Sequence, residues 1–176
     1  MAKKLSLEEL NRMSISEFKE APKVPIIVVL DNIRSLSNIG SVFRTADAFR
    51  IEAVYLCGIT AKPPHREIHK TALSATESVE WQYFSTTIEA VEKLRNNNFK
   101  IVSIEQVDNS IVLNEFEPDP QCPHALVFGN EVHGVDEKII AMSDKCVEIP
   151  QWGTKHSFNV SVSVGIVLWD IVLKLN

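Results

Sequence analysis

The C-terminal segment from His124 to Leu175 most constrains the fold, because the same local pattern occurs in it twice. Two short apolar runs, Ala125 to Phe128 and Cys146 to Ile149, each lead into a polar segment that contains glycine. Short apolar runs bounded by turn residues are typical of buried strands. Ligands of open α/β sheets bind beyond the carboxyl ends of such strands, so the two polar segments predict one binding site in two parts.

The turn residues after these strands locate the site more closely. Gly129 and Gly134 allow the backbone to turn and to approach a ligand at short distance. Pro150 lacks a backbone donor and has a fixed φ, so it ends the second strand and makes residues 151–156 a loop. The polar residues at the mouth of the first strand are Asn130, Glu131 and His133.

The preceding residues alternate between strand-like and helix-like patterns. The composition of buried strands occurs at residues 25–30, 53–57 and 100–106, and a helical pattern occurs at residues 87–97. From Asn38 onward, apolar residues recur at three- and four-residue spacing, which predicts a helix that Asn38 is placed to cap. Strands and helices joined by short connections predict an α/β fold, with a parallel sheet and helices on both faces.

The last apolar segment is ambiguous at its start and helical beyond it. Valine alternates with serine over residues 160–164, as in a half-buried strand. Over a longer window there are two apolar stripes at helical spacing, which favours a helix buried on two sides. The stripes are Phe158, Val162, Ile166, Trp169 and Leu173, and Val160, Val164, Val167, Ile171 and Leu175. We expect one side to pack on its own sheet and the other on a second subunit.

Residues 1–24 are predicted to be a separate helical arm, and residues 25–176 are predicted to be the domain. Ser6 precedes Glu9, and Ser14 precedes Glu17, at capping-box spacing, which predicts two short helices. The apolar residues of the arm are Leu5, Leu7, Leu10, Met13 and Phe18. They can pack on the domain, on a partner subunit or beside a substrate, and the sequence leaves these possibilities open.

The net charge of −5 over 176 residues excludes a uniformly basic surface of the kind that binds nucleic acid without specificity. The charge is uneven, however. Residues 1–80 carry 11 basic and 10 acidic residues, whereas residues 81–176 carry 7 and 13. The candidate basic patch is Lys62, His65, Arg66, His69 and Lys70, for which a solvated charged face is the alternative.

The three cysteines, Cys57, Cys122 and Cys146, are widely spaced and odd in number. This pattern indicates reduced thiols in a cytoplasmic protein, and it lacks metal-ligand spacing. No apolar core follows the N-terminal lysines, so we expect no signal peptide. Polar residues interrupt every long apolar run, so we expect no membrane partner.

Three stretches together resemble the SpoU (TrmH) family of RNA 2'-O-methyltransferases within the SPOUT superfamily. They are SNIGSVFRTADAF (residues 37–49), LVFGNEVHG (126–134) and IPQWGTKHSFNVSV (149–162), and the similarity extends from Ile26 to Leu175. The resemblance implies a parallel α/β fold with a C-terminal deep trefoil knot, one of the few exceptions to the rule that chains do not knot. It also implies S-adenosylmethionine as cofactor, RNA as partner, and a homodimer packed through the knot and the C-terminal helix.

The resemblance also implies site residues at the matching positions of this sequence. It implies cofactor contacts at Gly129, Ile149 and Phe158, where the family usually has leucine in place of Phe158. It implies that Arg44 holds the ribose 2'-hydroxyl. We expect no metal, because no carboxylate spacing beside the loop histidines His133 and His156 supports one. Because arginine is effectively always protonated, we expect the adjacent phosphate or a water to take the proton. The residues that support Arg44 or line the site are Asn38, Glu131, Ser157 and Asn159.

Each of these residues also has a purely structural interpretation. Asn38, Ser157 and Asn159 can cap helices. Glu131 can be a solvated loop carboxylate or the partner of a nearby donor. Gly129 can serve turn geometry alone.

The predicted function is transfer of a methyl group from S-adenosylmethionine to a ribose 2'-hydroxyl of RNA. Transfer RNA is favoured over ribosomal RNA because the sequence has only a short arm beside the domain. The competing hypothesis is an RNA-binding protein that keeps the fold without catalysis. The enzyme is favoured by the joint presence of the five residues predicted to be catalytic, Asn38, Arg44, Glu131, Ser157 and Asn159. An ordinary nucleotide-binding domain is disfavoured, because neither G-x-G-x-x-G nor G-x-x-x-x-G-K-[ST] follows a strand.

Overall fold

The structure of the chain is a computed structural model that describes residues 2–6 and 8–175, so Leu7 of the arm lies outside the described residues. The strands are β1 (Val24–Asp31), β2 (Ile51–Cys57), β3 (Glu80–Phe84), β4 (Lys100–Ile104), β5 (Ile111–Val112), β6 (His124–Phe128) and β7 (Lys145–Glu148). The α-helices are α1 (Ile15–Glu20), α2 (Leu36–Ala48), α3 (Arg66–Ala72), α4 (Ala75–Ser78), α5 (Thr87–Asn96), α6 (Glu137–Met142) and α7 (Val160–Leu175). A 3-10 helix spans Leu113–Glu115.

The strands form one sheet in the order β3-β2-β1-β6-β4-β7-β5, and each pair of neighbours is parallel. Strands β1 and β6 lie in the middle and are almost wholly apolar, as strands buried on both faces must be. Because all strands run in the same direction, their carboxyl ends lie along one edge. The predicted α/β fold with a parallel sheet is confirmed.

Helices cover both faces of the sheet, as expected. Along β1, Ile26 and Val28 belong to the core beneath α2 and α7, whereas Ile27 and Val29 belong to the core beneath α5 and α6. This alternation follows from the two-residue period of a strand. Full burial of each such side chain contributes about 1.5–3 kcal/mol, so the two layers hold the sheet rigidly between them.

The C-terminal segment is a helix, as favoured, and its two stripes differ in environment. The stripe that contains Val164, Val167 and Ile171 is buried in the core. On the other stripe the exposed fractions are 49% for Val162, 58% for Trp169 and 57% for Leu173. The chain thus covers only one of the two apolar faces of α7.

Two strands were missed in the sequence and one was predicted too long. Strand β3 is an edge strand, paired only with β2, and its alternation is too weak to mark it. Strand β5 has only two residues, Ile111 and Val112. Strand β4 ends at Ile104, so Glu105 and Gln106 lie in the connection beyond it.

The prediction that Asn38 caps α2 is wrong. The helix begins one turn earlier, with Ser35 as N-cap, and the Ser35 hydroxyl accepts a hydrogen bond from the backbone N–H of Asn38 at 3.3 Å. Asn38 is therefore the third helical residue. Its side chain, only 8% of which is exposed, is left free for contacts outside the helix.

Among its described residues, the arm forms one helix instead of the predicted two. Both capping-box hydrogen bonds between Ser6 and Glu9 are present, but only a turn follows them. The equivalent pair, Ser14 and Glu17, begins α1. Phe18 is buried in the core, so this part of the arm packs on the domain.

Candidate functional site

A cavity of about 740 Å³ opens where β4, β6 and β7 end. These strands are neighbours in the sheet, in the order β6-β4-β7, so the segments that follow them meet at the same edge. We call this the strand-end cavity. Six of the eight site residues predicted from the sequence line it, namely Gly129, Glu131, Ile149, Ser157, Phe158 and Asn159.

The segment after β6 folds into a tight loop whose two ends touch. Asn130 and Gly134 exchange two backbone hydrogen bonds of 2.9 Å. A Cβ atom on Gly129 would lie 2.0 Å from the carbonyl carbon of Gly134, so no side chain fits there. Gly134 has a φ of +69°, and a Cβ atom on it would lie 2.3 Å from an oxygen of Glu105. Both glycines are thus required by the closure of the loop itself.

Two side chains that were not predicted as site residues hold this loop. The Glu105 carboxylate accepts hydrogen bonds from the backbone N–H groups of Val135 and Gln106, each at 2.9 Å. The Asn130 side chain donates to the carbonyl of Asn32 at 2.7 Å. The role of Asn130 had a signal in the local sequence, because asparagine beside glycine favours turns. The role of Glu105 had no such signal, because its partner lies 30 residues away along the chain.

Glu131 joins the loop to the start of α2. Its carboxylate oxygens accept hydrogen bonds from the backbone N–H groups of Arg34 and Ser35, both at 3.1 Å. The Asn38 side-chain amide lies within hydrogen-bond distance of the same carboxylate, at 3.4 Å. Backbone N–H groups before a helix need acceptors, and an anion near a helix N-terminus is favourable.

The ionisation of Glu131 follows from these contacts. Partial burial by itself raises the pKa of the Glu131 carboxyl. Hydrogen bonds from the backbone of Arg34, Glu131 and Ser35 and from the Asn38 side chain outweigh that effect and hold the pKa below its ordinary value. Glu131 is therefore a carboxylate at neutral pH, with its oxygens already engaged.

Asn159 connects the second loop to the same group. Its side-chain amide donates to the Asn38 side-chain oxygen at 3.1 Å. Its own side-chain oxygen accepts from the backbone N–H of Ser161 at 2.9 Å, which caps α7. The expected capping role and the expected site position are thus combined in Asn159. Glu131, Asn38 and Asn159 form a hydrogen-bonded row that links all three motifs.

The loop between β7 and α7 forms the other wall of the strand-end cavity. Gln151 and Gln106 both donate to the carbonyl of His156, at 3.3 and 3.4 Å, which fixes the end of this loop. Ile149 and Phe158 provide apolar surface there. Four carboxylates line the same cavity, those of Glu105, Glu131, Glu137 and Glu148.

The strand-end cavity fits the cofactor that the resemblance implies. Its volume lies in the range of about 300–1,000 Å³ that is usual for small-molecule sites. Apolar walls suit an adenine ring, and carboxylates suit the positive charges of a sulfonium and an ammonium group.

Arg44 does not line the strand-end cavity. It lies six residues after Asn38 on α2, on the wall of a second cavity of about 780 Å³. We call this second cavity the arginine cleft, because Arg12, Arg44 and Arg50 all line it. Within the described part of the chain, the Arg44 guanidinium has no hydrogen bond or ion pair. A single chain therefore brings together the other seven predicted site residues and leaves Arg44 apart.

The candidate basic patch is partly neutralised by contacts of its own. The ring nitrogen of His65 accepts from the backbone N–H of Glu67 and so caps α3. Lys70 forms an ion pair of 2.8 Å with Glu67. Lys62 lies 4.4 Å from the centre of the Tyr83 ring. These contacts leave both interpretations of the patch open.

Among the residues that the structure describes, no three potential ligands from histidine, cysteine, aspartate or glutamate are grouped as a metal site requires. No helix in the described ranges has the length and apolar character needed to cross a bilayer. Burial raises the pKa of the Cys57 thiol to about 12, so this cysteine is not an activated nucleophile.

Comparison with known proteins agrees with this geometry. Residues 25–169 match the model of the SpoU rRNA Methylase family. The chain is 31% identical over 159 residues to a tRNA (guanosine(18)-2'-O)-methyltransferase of Aquifex aeolicus strain VF5, covering 89% of this chain and 72% of that protein. It spans only 56–64% of the length of several other curated relatives.

Solved structures show the same fold. The crystal structure of the A. aeolicus TrmH/SpoU tRNA modifying enzyme superposes with a TM-score of 0.78 and 26% identity, over 91% of this chain and 79% of that one. An S-adenosylmethionine-bound rRNA methyltransferase from Sinorhizobium meliloti superposes with a TM-score of 0.77 and 23% identity, over 87% of this chain and 58% of that one. The family match spans most of the chain and contains all three motifs, so the chain belongs to the SpoU family of S-adenosylmethionine-dependent RNA methyltransferases.

Proposed function

We propose that this protein methylates a ribose 2'-hydroxyl of RNA, with transfer RNA preferred over ribosomal RNA. The observation that carries the proposal is the strand-end cavity. Gly129, Ile149 and Phe158, the three positions at which the family pattern implies cofactor contacts, line it together. The hydrogen-bonded row from Glu131 to Asn159 lies beside them. The printed names of relatives that act on tRNA and on rRNA support the choice of RNA as substrate.

S-adenosylmethionine supplies, when bound, a sulfonium methyl group that a nucleophile attacks in line. The chain's own residues hold it: backbone groups of the loop at Gly129, and apolar side chains of Ile149 and Phe158. Glu131 is not the general base in this proposal, because its oxygens are engaged by Arg34 and Ser35. It fixes α2 against the cofactor loop. That rigidity maintains the alignment that the transfer needs.

Arg44 is the residue that we propose to bind the target nucleotide. A guanidinium group carries a positive charge and several donors in a planar fork, so Arg44 can orient the 2'-hydroxyl and hold the adjacent phosphate. The phosphate or a water then accepts the proton. Arg44 is exposed on α2, and its guanidinium forms no hydrogen bond or ion pair with the described residues. It is therefore available to bind a substrate.

A homodimer is part of this proposal, because one chain leaves Arg44 outside the strand-end cavity. The exposed stripe of α7, which contains Val162, Trp169 and Leu173, is the surface that we assign to the dimer. Phe49, at the end of the helix that carries Arg44, packs against Trp169 with ring centres 6.4 Å apart. A second protomer docked on this stripe would thus lie close to α2.

The dimer is tested by Trp169→Glu, with Ile59→Glu as a matched control on an exposed apolar residue outside α7. We expect Trp169→Glu to sediment as a monomer that binds S-adenosylmethionine and transfers no methyl group. The Ile59→Glu variant should remain a dimer and stay active. Full activity in a monomeric Trp169→Glu variant would exclude the shared site.

Three further features belong to the same proposal. The C-terminal part forms a trefoil knot, which is supported by the insertion of β7 between β4 and β5 and by the packing of α7 on α2.

The second feature is the division of the chain, in which residues 1–24 are an arm and residues 25–176 are the catalytic domain. A reducing, cytoplasmic location is supported by three free cysteines. An experimental crystal structure, with the main chain traced through residues 124–175, tests the knot.

The function is tested by transfer of labelled methyl from S-adenosylmethionine to separated tRNA and rRNA, followed by nuclease digestion. We expect a 2'-O-methylated nucleoside in the tRNA pool. Label in the rRNA pool alone would retain the reaction and correct the substrate. The alternative, an RNA-binding protein without catalysis, is favoured by the separate position of Arg44 in one chain. It predicts RNA binding with no transfer and no S-adenosylmethionine binding by calorimetry.

A further inference from the structure

Apart from Arg44, the residues that line the arginine cleft have no role in the proposed methyl transfer. It lies between the arm, the C-terminal end of α2, and the turn that joins α3 to α4. Met13 and Ile15 of the arm and Leu73 of the turn line it, and Leu73 is 60% exposed. The cleft therefore combines exposed apolar side chains with three guanidinium groups.

The charge of this cleft is unusual for a chain with a net charge of −5. Arg12, Arg44 and Arg50 line it, whereas Asp47 is the only acidic residue among the described residues of the lining. Asp47 is engaged, because it accepts a hydrogen bond from the Ser78 hydroxyl at 2.5 Å. The three guanidinium groups outnumber this one carboxylate, which keeps its charge, so the lining of the cleft has an excess of two positive charges and attracts an anion.

Backbone strain is concentrated around the same opening. Six non-glycine residues have positive φ in the described part of the chain, and four of them line the arginine cleft. These four are Asn11 (φ 45°), Arg50 (φ 51°), Leu73 (φ 48°) and Ser74 (φ 68°). Asparagine tolerates the left-handed region, but for Arg50, Leu73 and Ser74 it is unfavourable, and strained backbone of this kind clusters at ligand-binding sites.

Arg50 is the most informative of the four. It follows Phe49, the C-cap of α2, at the position where helices favour glycine in the left-handed conformation. An arginine there makes the turn less stable than a glycine would. No contact of its guanidinium in the described residues offsets this loss. A bound ligand would offset it.

We propose that the arginine cleft binds a single-stranded segment of the substrate RNA next to the target nucleotide. Arg12 and Arg50 bind phosphates, and Leu73 and Met13 contact the face of a base. This inference rests on the proposed function, because Arg44 at the same cleft holds the target ribose there. Unstacked bases in single strands are what RNA-binding proteins recognise through apolar contacts, and guanidinium groups match phosphate geometry.

Equilibrium binding of the full-length protein to labelled unfractionated tRNA, and separately to rRNA, tests this assignment. We expect Arg12→Ala and Arg50→Ala each to weaken binding roughly tenfold. Each should also reduce the slope of log K against log salt by about one, as expected for the loss of one phosphate contact. The matched control is Arg95→Ala, which removes the same charge from α5 across the sheet and should bind as the wild type does.

A pair of substitutions at Arg50 separates RNA contact from fold stability. Arg50→Gly removes the guanidinium and suits the left-handed backbone, whereas Arg50→Ala removes the guanidinium and retains the strain. We expect Arg50→Gly to have the higher Tm of the two and both variants to bind RNA equally weakly. A purely structural role for Arg50 predicts instead that binding follows Tm.

The outcomes distinguish this inference from the proposed function. A wild type that transfers methyl groups, with cleft variants that bind RNA normally, would overturn the cleft assignment alone. Loss of RNA binding in the Arg12 and Arg50 variants, from a wild type that transfers no methyl group, would retain the cleft and overturn the function. Altered sedimentation of the variants with unchanged RNA binding would assign the cleft to a second copy of the chain and reject RNA.

Discussion

The strand-end cavity and the arginine cleft are nearly equal in volume, about 740 and 780 Å³, and opposite in charge. Of the described residues, those that line the first include four carboxylates and no lysine or arginine, and those that line the second include three arginines and one carboxylate. Opposite charges suit opposite ligands: a cofactor with a sulfonium group and an RNA backbone. The net charge of the chain does not reveal this difference, because it is a sum over all residues, including those of both cavities.

The two cavities also differ in how they are held. In the strand-end cavity, Glu105, Asn130 and Glu131 satisfy backbone N–H and carbonyl groups of the loops, so its walls are fixed before any ligand arrives. In the arginine cleft the guanidinium groups are unengaged among the described residues and the backbone is strained. Preorganisation lowers the entropy lost on binding a small ligand, whereas an open cleft admits a large one.

The largest expected effect is that of Arg44→Ala on methyl transfer. Loss of the positive charge at the reacting group should lower kcat by at least about 100-fold, measured at saturating RNA with labelled cofactor. The Kd for S-adenosylmethionine, measured by calorimetry, should not change, because Arg44 lies outside the strand-end cavity. Arg95→Ala is the control for charge. Equal loss of transfer and cofactor binding would contradict the separation of the two cavities.

The second effect is that of Gly129→Ala on cofactor binding. The added Cβ atom would lie 2.0 Å from the Gly134 carbonyl carbon, so the loop must open, at a cost of about 1–3 kcal/mol. We expect S-adenosylmethionine binding, measured by calorimetry, to weaken roughly 5- to 150-fold while RNA binding persists. Gly153→Ala is a matched control, since no atom lies within 4 Å of its added Cβ. Normal cofactor affinity in Gly129→Ala would show that the loop does not form the cofactor site.

Glu105→Ala should have a smaller effect on the same cavity. It removes the acceptor for the backbone N–H groups of Val135 and Gln106, and an unsatisfied group of this kind costs about 1–3 kcal/mol. We expect a Tm lower by roughly 2–10 °C, by scanning calorimetry, and weaker cofactor binding. The matched control is Glu148→Ala, because Glu148 lines the same cavity and does not hold a loop. Equal Tm losses in the two variants would mean that Glu105 has no special role.

The smallest expected effect is the pH dependence of the contribution of Glu131. Its pKa is lower in the folded protein than its ordinary value of 4.5, so its stabilising contribution is present above pH 4.5. That contribution is lost as pH falls through the folded-state pKa. The Tm difference between wild type and Glu131→Gln should therefore be a few degrees at pH 7 and should shrink below about pH 4.5. A difference that is constant from pH 7 to pH 3 would contradict the role of the carboxylate charge.

Much of the fold was predictable because it rests on local pattern. The apolar runs of β1, β2 and β6 and the stripes of α2 and α7 are long enough for their period to be read directly. Strands β3 and β5 were missed because an exposed edge strand and a two-residue strand carry little pattern. Asn38 was misplaced because Ser35, three residues earlier, supplies a competing cap.

The site was predictable in part. Gly129, Ile149 and Phe158 follow strands, and strand ends in a parallel sheet converge, so their meeting could be anticipated. The role of Glu105 could not, because its partner is remote in sequence. The separation of Arg44 from the strand-end cavity could not either, since it depends on which side of α2 faces the cavity.

The sequence by itself determined the parallel α/β class, the three motifs and the two-faced apolar helix α7. These follow from side-chain periodicity and turn chemistry, which act between near neighbours in the chain. Only the tertiary structure decided that Glu131, Asn38 and Asn159 form one row and that three arginines line a separate cleft. Contacts between residues remote in sequence depend on strand order and helix orientation, and local pattern does not specify them.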